Sequence, residues 1–132
     1  MSNTKNKAIM ICVTNQLSCE RLIRYGAKRS ESPEYSEKPP IYVVHCVQND
    51  QRFMDANNQE DAISSLFAYA AEIGAELTVL RSNNVQRTLA NFAEEHDVGV
   101  MILGSPKNSG SRNNRFSRKL QELLPNVEFD IR

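Results

Sequence analysis

Ala8-Ile9-Met10-Ile11-Cys12-Val13 is an unbroken run of six apolar residues. A strand with one wet face would alternate apolar and polar side chains, and an amphipathic helix would space its apolar positions three and four apart. A short continuous run is what a strand needs when helices cover both of its faces, as in parallel sheets. Similar runs recur at residues 41–47, at Leu77-Thr78-Val79-Leu80 within 76–81, and at 98–103.

The stretches between these runs have helical character. After the first, Ser18 offers an N-cap, and Leu22, Ile23 and Ala27 give a modest apolar face to a helix ending near Ser30. Residues 32–40 contain three prolines and read as a linker, and 48–58 is a polar loop. A strong helix over 59–73 carries Ala62, Ile63, Leu66, Phe67, Ala70 and Ile73 on one stripe, and Gly74 stops it. Asn83-x-x-Gln86 resembles a capping box opening a helix whose Val85, Leu89, Phe92 and Ala93 face inward. Residues 105–114 form a polar loop before a last helix with Phe116, Leu120, Leu123 and Leu124, ended by Pro125. Val127, Phe129 and Ile131 then alternate with Glu128, Asp130 and Arg132, the pattern of an edge strand blunted by charge. Strands alternating with helices predict an α/β domain over residues 1–132: one parallel sheet with helices on both faces, joined by right-handed crossovers. Ligands of such sheets bind beyond the carboxyl ends of the strands where the strand order reverses. Residues 13–16, 45–48 and 104 onward are therefore the ones to inspect.

Composition narrows the function classes. The 132 residues are 40% hydrophobic and 24% charged, with sixteen basic and sixteen acidic residues cancelling. A neutral chain has no long-range attraction to nucleic acid, and no apolar run is long enough to span a membrane. Met1 to Lys7 is polar and lacks a signal core, so the expected compartment is the cytoplasm. Cys12, Cys19 and Cys46 are odd in number and show no Cys-x-x-Cys spacing, which predicts buried free thiols rather than disulfides or a metal site. Asp55, Glu60 and Asp61 are scattered carboxylates at a helix start, where they complement the dipole.

The five-strand layout, the Val43-Val44-His45-Cys46-Val47 strand and the Met101-Ile102-Leu103-Gly104-Ser105 strand ending resemble the universal stress protein superfamily. Ile11-Cys12-Val13-Thr14-Asn15, followed by a Ser/Cys-Glu-Arg-Leu-Ile-Arg helix, is similar to the stress-protein-like domain of KdpD-type osmosensitive potassium sensor kinases. So is Arg115-Phe116-Ser117-Arg118-Lys119-Leu120 with its following Leu-x-Pro. The resemblance implies a Rossmann-like sheet of the adenine-nucleotide alpha-hydrolase type, strand order 3-2-1-4-5, with the site between strands one and four. ATP-binding members carry an aspartate after strand one and a Gly-x2-Gly-x9-Gly-Ser/Thr signature after strand four, whose backbone N–H groups reach the phosphates. This chain departs from both. Asn15 stands near the aspartate position, Gly104-Ser105 match the first glycine and its neighbour, and Lys107 replaces the second glycine. The last pair falls on Ser117-Arg118 by spacing or on Asn114-Arg115 by helix alignment, and neither supplies a glycine. The departures argue against ATP held in the usual way.

The loop still gathers donors. Lys107, Arg112 and Arg115, with Ser105, Ser109 and Ser111, suit a phosphate at a helix N-terminus; Thr14 and Asn15 form the opposite lip, Cys46 the floor, and Val13, Gly104 and Ser117 complete the candidate nucleotide site. The bland alternative is a solvated loop. His45 and His96 read as structural, the latter at a helix C-terminus, and no nucleophile elbow or P-loop is present. No catalytic or metal-ligating residue is assigned. The leading reading is a stress-response or signalling module binding a nucleotide-type ligand, for which the resemblance offers ATP, AMP or a cyclic dinucleotide. The alternatives are a ligand-free scaffold for a sensor kinase and a weak nucleotide hydrolase. The resemblance also implies a homodimer paired through the C-terminal strand.

Overall fold

The computed structural model describes residues 7–13, 16–33, 35, 37–48, 59–104 and 111–132; the side chains of 16–19, 47–48, 59–63 and 111–116 stand outside that description. Strands and helices alternate as β1 (Ala8–Cys12), α1 (Gln16–Ser30), β2 (Ile41–Gln48), α2 (Gln59–Glu72), β3 (Glu76–Ser82), α3 (Val85–Glu95), β4 (Val98–Leu103), α4 (Ser111–Leu123) and β5 (Glu128–Ile131). All neighbouring strands are parallel, in the order β3-β2-β1-β4-β5.

The continuous apolar run explains the centre of this sheet. Every residue of β1 is buried, because odd and even side chains enter two different cores. Ile9, Ile11 and Val13 join Leu22, Ile23, Val43, Leu66 and Ile102 beneath α1 and α2. Met10 and Cys12 join Val44, Cys46, Leu89, Met101, Leu103 and Leu120 beneath α3 and α4. Burying a Leu, Ile, Val or Met side chain contributes about 1.5–3 kcal/mol, so the two faces together hold the layers on the sheet.

Helix ends follow local chemistry. Gly74 takes φ +72°, the left-handed conformation that closes α2; Ala75 N–H donates to Ala70 O at 2.8 Å and Gly74 N–H to Ala71 O at 3.1 Å, as in a Schellman motif. His96 caps α3, its Nδ1–H donating to Phe92 O at 2.9 Å while its ring stacks on Phe92.

Five sequence expectations are corrected. The helix α1 starts at Gln16, so Ser18 lies inside it rather than capping it. The cap of α3 is Asn84, not Asn83 of an Asn83–Gln86 box. β3 runs on through Ser82, whose Oγ takes the Asn84 N–H at 2.9 Å, and Asn84 Oδ1 then accepts from Arg87 N–H at 3.2 Å. α4 begins at Ser111, so residues 111–114 of the expected 105–114 loop are helical. Phe67 is 64% exposed and leaves the inward stripe of α2, where Leu66 and Ala70 do the packing. Asp130, expected outside on β5, is 8% exposed, for the reason given below. Ala62, Ile63 and Phe116 in the expected helix faces, and the polar segment 49–58, lie outside the described side chains or residues.

Candidate functional site

In the observed strand order the chain passes from β1 to β2 and β3 on one side, then returns to place β4 on the other. The reversal lies between β1 and β4, which is where doubly wound sheets open a crevice. Cys12 pairs with Leu103, so the next residues, Val13 and Gly104, leave the sheet side by side.

The β1 exit is held from below. Val13 N–H donates to Val44 O at 2.9 Å, and buried His45 donates its Nδ1–H to Val13 O at 2.7 Å. Desolvation pushes the His45 pKa below its ordinary value, with the Val13 bond opposing it, so the ring is neutral at pH 7. The Val13 side chain is 1% exposed and packs in the core. On the β4 side, Leu103 O accepts from Arg132 N–H at 2.8 Å, and half-buried Gly104 comes next.

Cys46 shares the α3/α4 core with Cys12, and burial raises both thiols above the ordinary range. Neither is a poised thiolate. Ser117 is buried at 5% exposure, and six residues into α4 it stands about 9 Å along the axis from Ser111. The structure therefore separates Ser117 from the helix N-terminus. The backbone of Ser111, Arg112 and Arg115 belongs to the first turns of α4. Thr14, Asn15, Ser105, Lys107 and Ser109 lie outside the described residues. Among the described residues no group of three His, Cys, Asp or Glu could hold a metal ion, and no helix is long and apolar enough to cross a membrane.

Sequence reasoning missed the polar cluster that locks β5 to α1. Asp130 Oδ2 accepts from Tyr25 Oη–H and from Arg29 at 2.6 Å, while Oδ1 accepts from Arg132 Nε at 2.8 Å. Arg29 also holds Glu128 at 2.8 Å, and the Arg132 guanidinium lies 4.6 Å over the Tyr25 ring. Desolvation alone would raise the Asp130 pKa; the three donors outweigh it and hold the carboxyl below its ordinary value. Arg29 is likewise desolvated, yet its bonds to Glu128 and Asp130 raise its pKa. Tyr25 and Arg29 stand four apart on one helix face, which was a readable signal; their partners more than a hundred residues away were not.

No protein-family model matches the chain. It is 25% identical over 122 residues to the sensor protein KdpD of Escherichia coli, a match covering 92% of this chain and only 13% of that protein. Among solved structures it is similar to the universal stress protein of Archaeoglobus fulgidus, with TM-score 0.67, 21% identity, and 95% of this chain and 92% of that chain covered. A universal stress protein of Archaeoglobus fulgidus in complex with dAMP gives TM-score 0.62 at 20% identity, covering 95% of this chain and 96% of that chain. A universal stress protein family member of Burkholderia pseudomallei gives 0.55 at 12% identity, covering 99% and 98%. The chain has the universal stress protein fold, and its sequence resembles a segment of a sensor protein.

Proposed function

We propose that this universal-stress-protein-fold chain is a signalling module that binds a nucleotide-type ligand at the C-terminal ends of β1 and β4, without strong catalysis. The observation that carries this reading is the strand-order reversal, with Val13 and Gly104 departing together at its mouth. α4 begins seven residues after Gly104, so its first-turn N–H groups and Arg112 and Arg115 belong to the segment next to the crevice. A stress protein of the same fold has been seen with dAMP, which makes adenine nucleotides (ATP, AMP) the first ligands to try, with a cyclic dinucleotide beside them. The ligand's phosphate meets Lys107, Arg112 and Arg115 with Ser105, Ser109 and Ser111, and its sugar or base meets Thr14 and Asn15. Two copies pair through β5. That strand is a sheet edge; Ile131 is 38% exposed while Asp130 and Glu128 are balanced by Arg29 and Arg132, which leaves less charge to repel a partner.

Calorimetry and thermal shift with each nucleotide test the site. A ligand at 100 times its Kd stabilises the native state by about 2.7 kcal/mol, a rise in Tm of about 10 °C for a chain this long. Replacing Arg112 and Arg115 together by alanine weakens a phosphate-bearing ligand far more than the matching nucleoside. Absence of any shift with all three ligands removes the binding reading. A ligand-free scaffold then takes its place, favoured by the likeness to part of a sensor protein and implying a sensor kinase as partner.

A further inference from the structure

The end of the sheet opposite the crevice carries a cavity of about 220 Å³. Ala93, Leu124 and Val127 supply apolar walls, and Glu94, Asp97 and Lys7 stand among its lining residues. The cavity exists because two helices finish there. α3 ends at Glu95 and α4 at Leu123, and both chains turn at once into strands. Asp97 makes the first turn by adopting φ +54°, with its carbonyl accepting from Ala8 N–H at 3.0 Å. In the second, Val127 N–H donates to Leu124 O at 3.2 Å.

The electrostatics of this cavity are negative on balance. The C-terminal ends of two helices face it, each the negative pole of a macrodipole. Glu94 and Asp97 add two carboxylates against the single ammonium of Lys7. Lys7 Nζ lies 3.3 Å from Asp97 Oδ1, but the side chains are 31% and 71% exposed, so the pair is screened and weak. Glu94 makes no ion pair among the described residues. An anion would meet two helix C-termini and two carboxylates. A neutral apolar molecule would fill the walls and gain nothing from the charge.

We propose that this cavity is a second ligand site, separate from the crevice, that takes a small organic cation: a primary ammonium or guanidinium on a short alkyl stem. The stem lies against Ala93, Leu124 and Val127, and the head meets Glu94 and Asp97, competing with Lys7 for the latter. The volume falls below the roughly 300–1,000 Å³ of pockets for drug-sized ligands, which limits the stem to a few carbons.

NMR titration of the full chain at low salt tests this, with agmatine and n-butylamine as probes and n-butanol and butyrate as controls. The amines move the amide signals of Ala93, Asp97 and Val127 saturably, and the controls do not. Glu94→Gln and Asp97→Asn, the second chosen because asparagine also tolerates positive φ, each weaken agmatine binding at least fivefold. Lys7→Ala acts in the opposite direction and tightens it severalfold, an effect that damage to the fold would not produce. Added salt weakens binding in every folded variant. Equal shifts with butyrate or butanol, shifts confined to the crevice end, or agmatine affinity unchanged in both Lys7→Ala and Asp97→Asn overturn the proposal. A nucleotide bound at the crevice does not compete with agmatine; competition would mean that one site serves both.

Discussion

Gly26→Ala is expected to destabilise the protein, although the same exchange in an ordinary helix interior stabilises. Gly26 is buried on α1, against the β1 and β4 side chains of the sheet. A Cβ there would overlap Ile11 Cδ1 and come within 2.9 Å of Ile11 Cγ1 and 3.4 Å of Ile102 Cδ1. Both isoleucines are fully buried, so neither can swing into solvent. Helix propensity favours alanine by about 0.5–1 kcal/mol. Forcing an extra methyl into a packed core costs about 1–3 kcal/mol. The second effect wins by about 1 kcal/mol. With an unfolding entropy of about 2.1 cal/mol/K per residue, the whole chain has roughly 0.28 kcal/mol/K, so Tm falls by about 4 °C. Calorimetry on Gly26→Ala, Ile11→Val and the double variant measures this directly. Ile11→Val alone costs about 0.5–1.5 kcal/mol, but it removes the overlapping Cδ1, so the double variant recovers about 1 kcal/mol relative to the sum of the singles. A Gly26→Ala protein that melts higher than the parent, or a strictly additive double variant, would refute the close-packing argument.

Arg29→Ala leaves Asp130 buried with only Tyr25 and Arg132 as donors, and urea melts should register a loss of about 2–3 kcal/mol, somewhat below the full cost of breaking a buried pair. Because the folded Asp130 pKa lies below its ordinary 3.8, its contribution is complete above that value and is lost as pH falls through the lower folded pKa. The acid limb of the parent's stability profile should therefore be steeper than that of Arg29→Ala. His45 follows the same rule in a higher pH window, since its folded pKa is depressed below 6.5. The unfolded chain takes up a proton first, so stability is full above pH 6.5 and declines below it, by at most about 1.36 kcal/mol per pH unit. His45→Asn should remove that slope between pH 7 and 5, and identical slopes in both proteins would mean that His45 does not stay neutral in the fold. Finally, light scattering at high protein concentration should give the mass of a dimer that Ile131→Lys returns to monomer; a monomeric parent sinks the pairing through β5.

The residues of β1 show how far a linear reading reaches. Six apolar side chains in succession have no arrangement in water except between two covering layers, so parallel β/α order followed directly from Ala8 to Val13 and its three counterparts. Gly74 was equally legible, since a glycine after an apolar stripe meets a local need for positive φ. The strand order was legible only through the family resemblance, and the sheet has the order 3-2-1-4-5 that the resemblance implies. Val13 and Ser117 belong to the candidate stretches by sequence, but packing turned both inward. The shift of the cap from Asn83 to Asn84 is a matter of one residue, decided by the Ser82 hydroxyl that takes the Asn84 N–H. What only the tertiary structure decided depends on contacts between segments far apart in the chain. The inward turn of Asp130 requires Tyr25 and Arg29 from the first helix, and the constraint on Gly26 requires Ile11 and Ile102 from two central strands. The cavity at Asp97 requires two helix ends to meet. Periodicity reports which face of an element is apolar; it carries no information on which distant residue will stand against that face, and there the energies of these features arise.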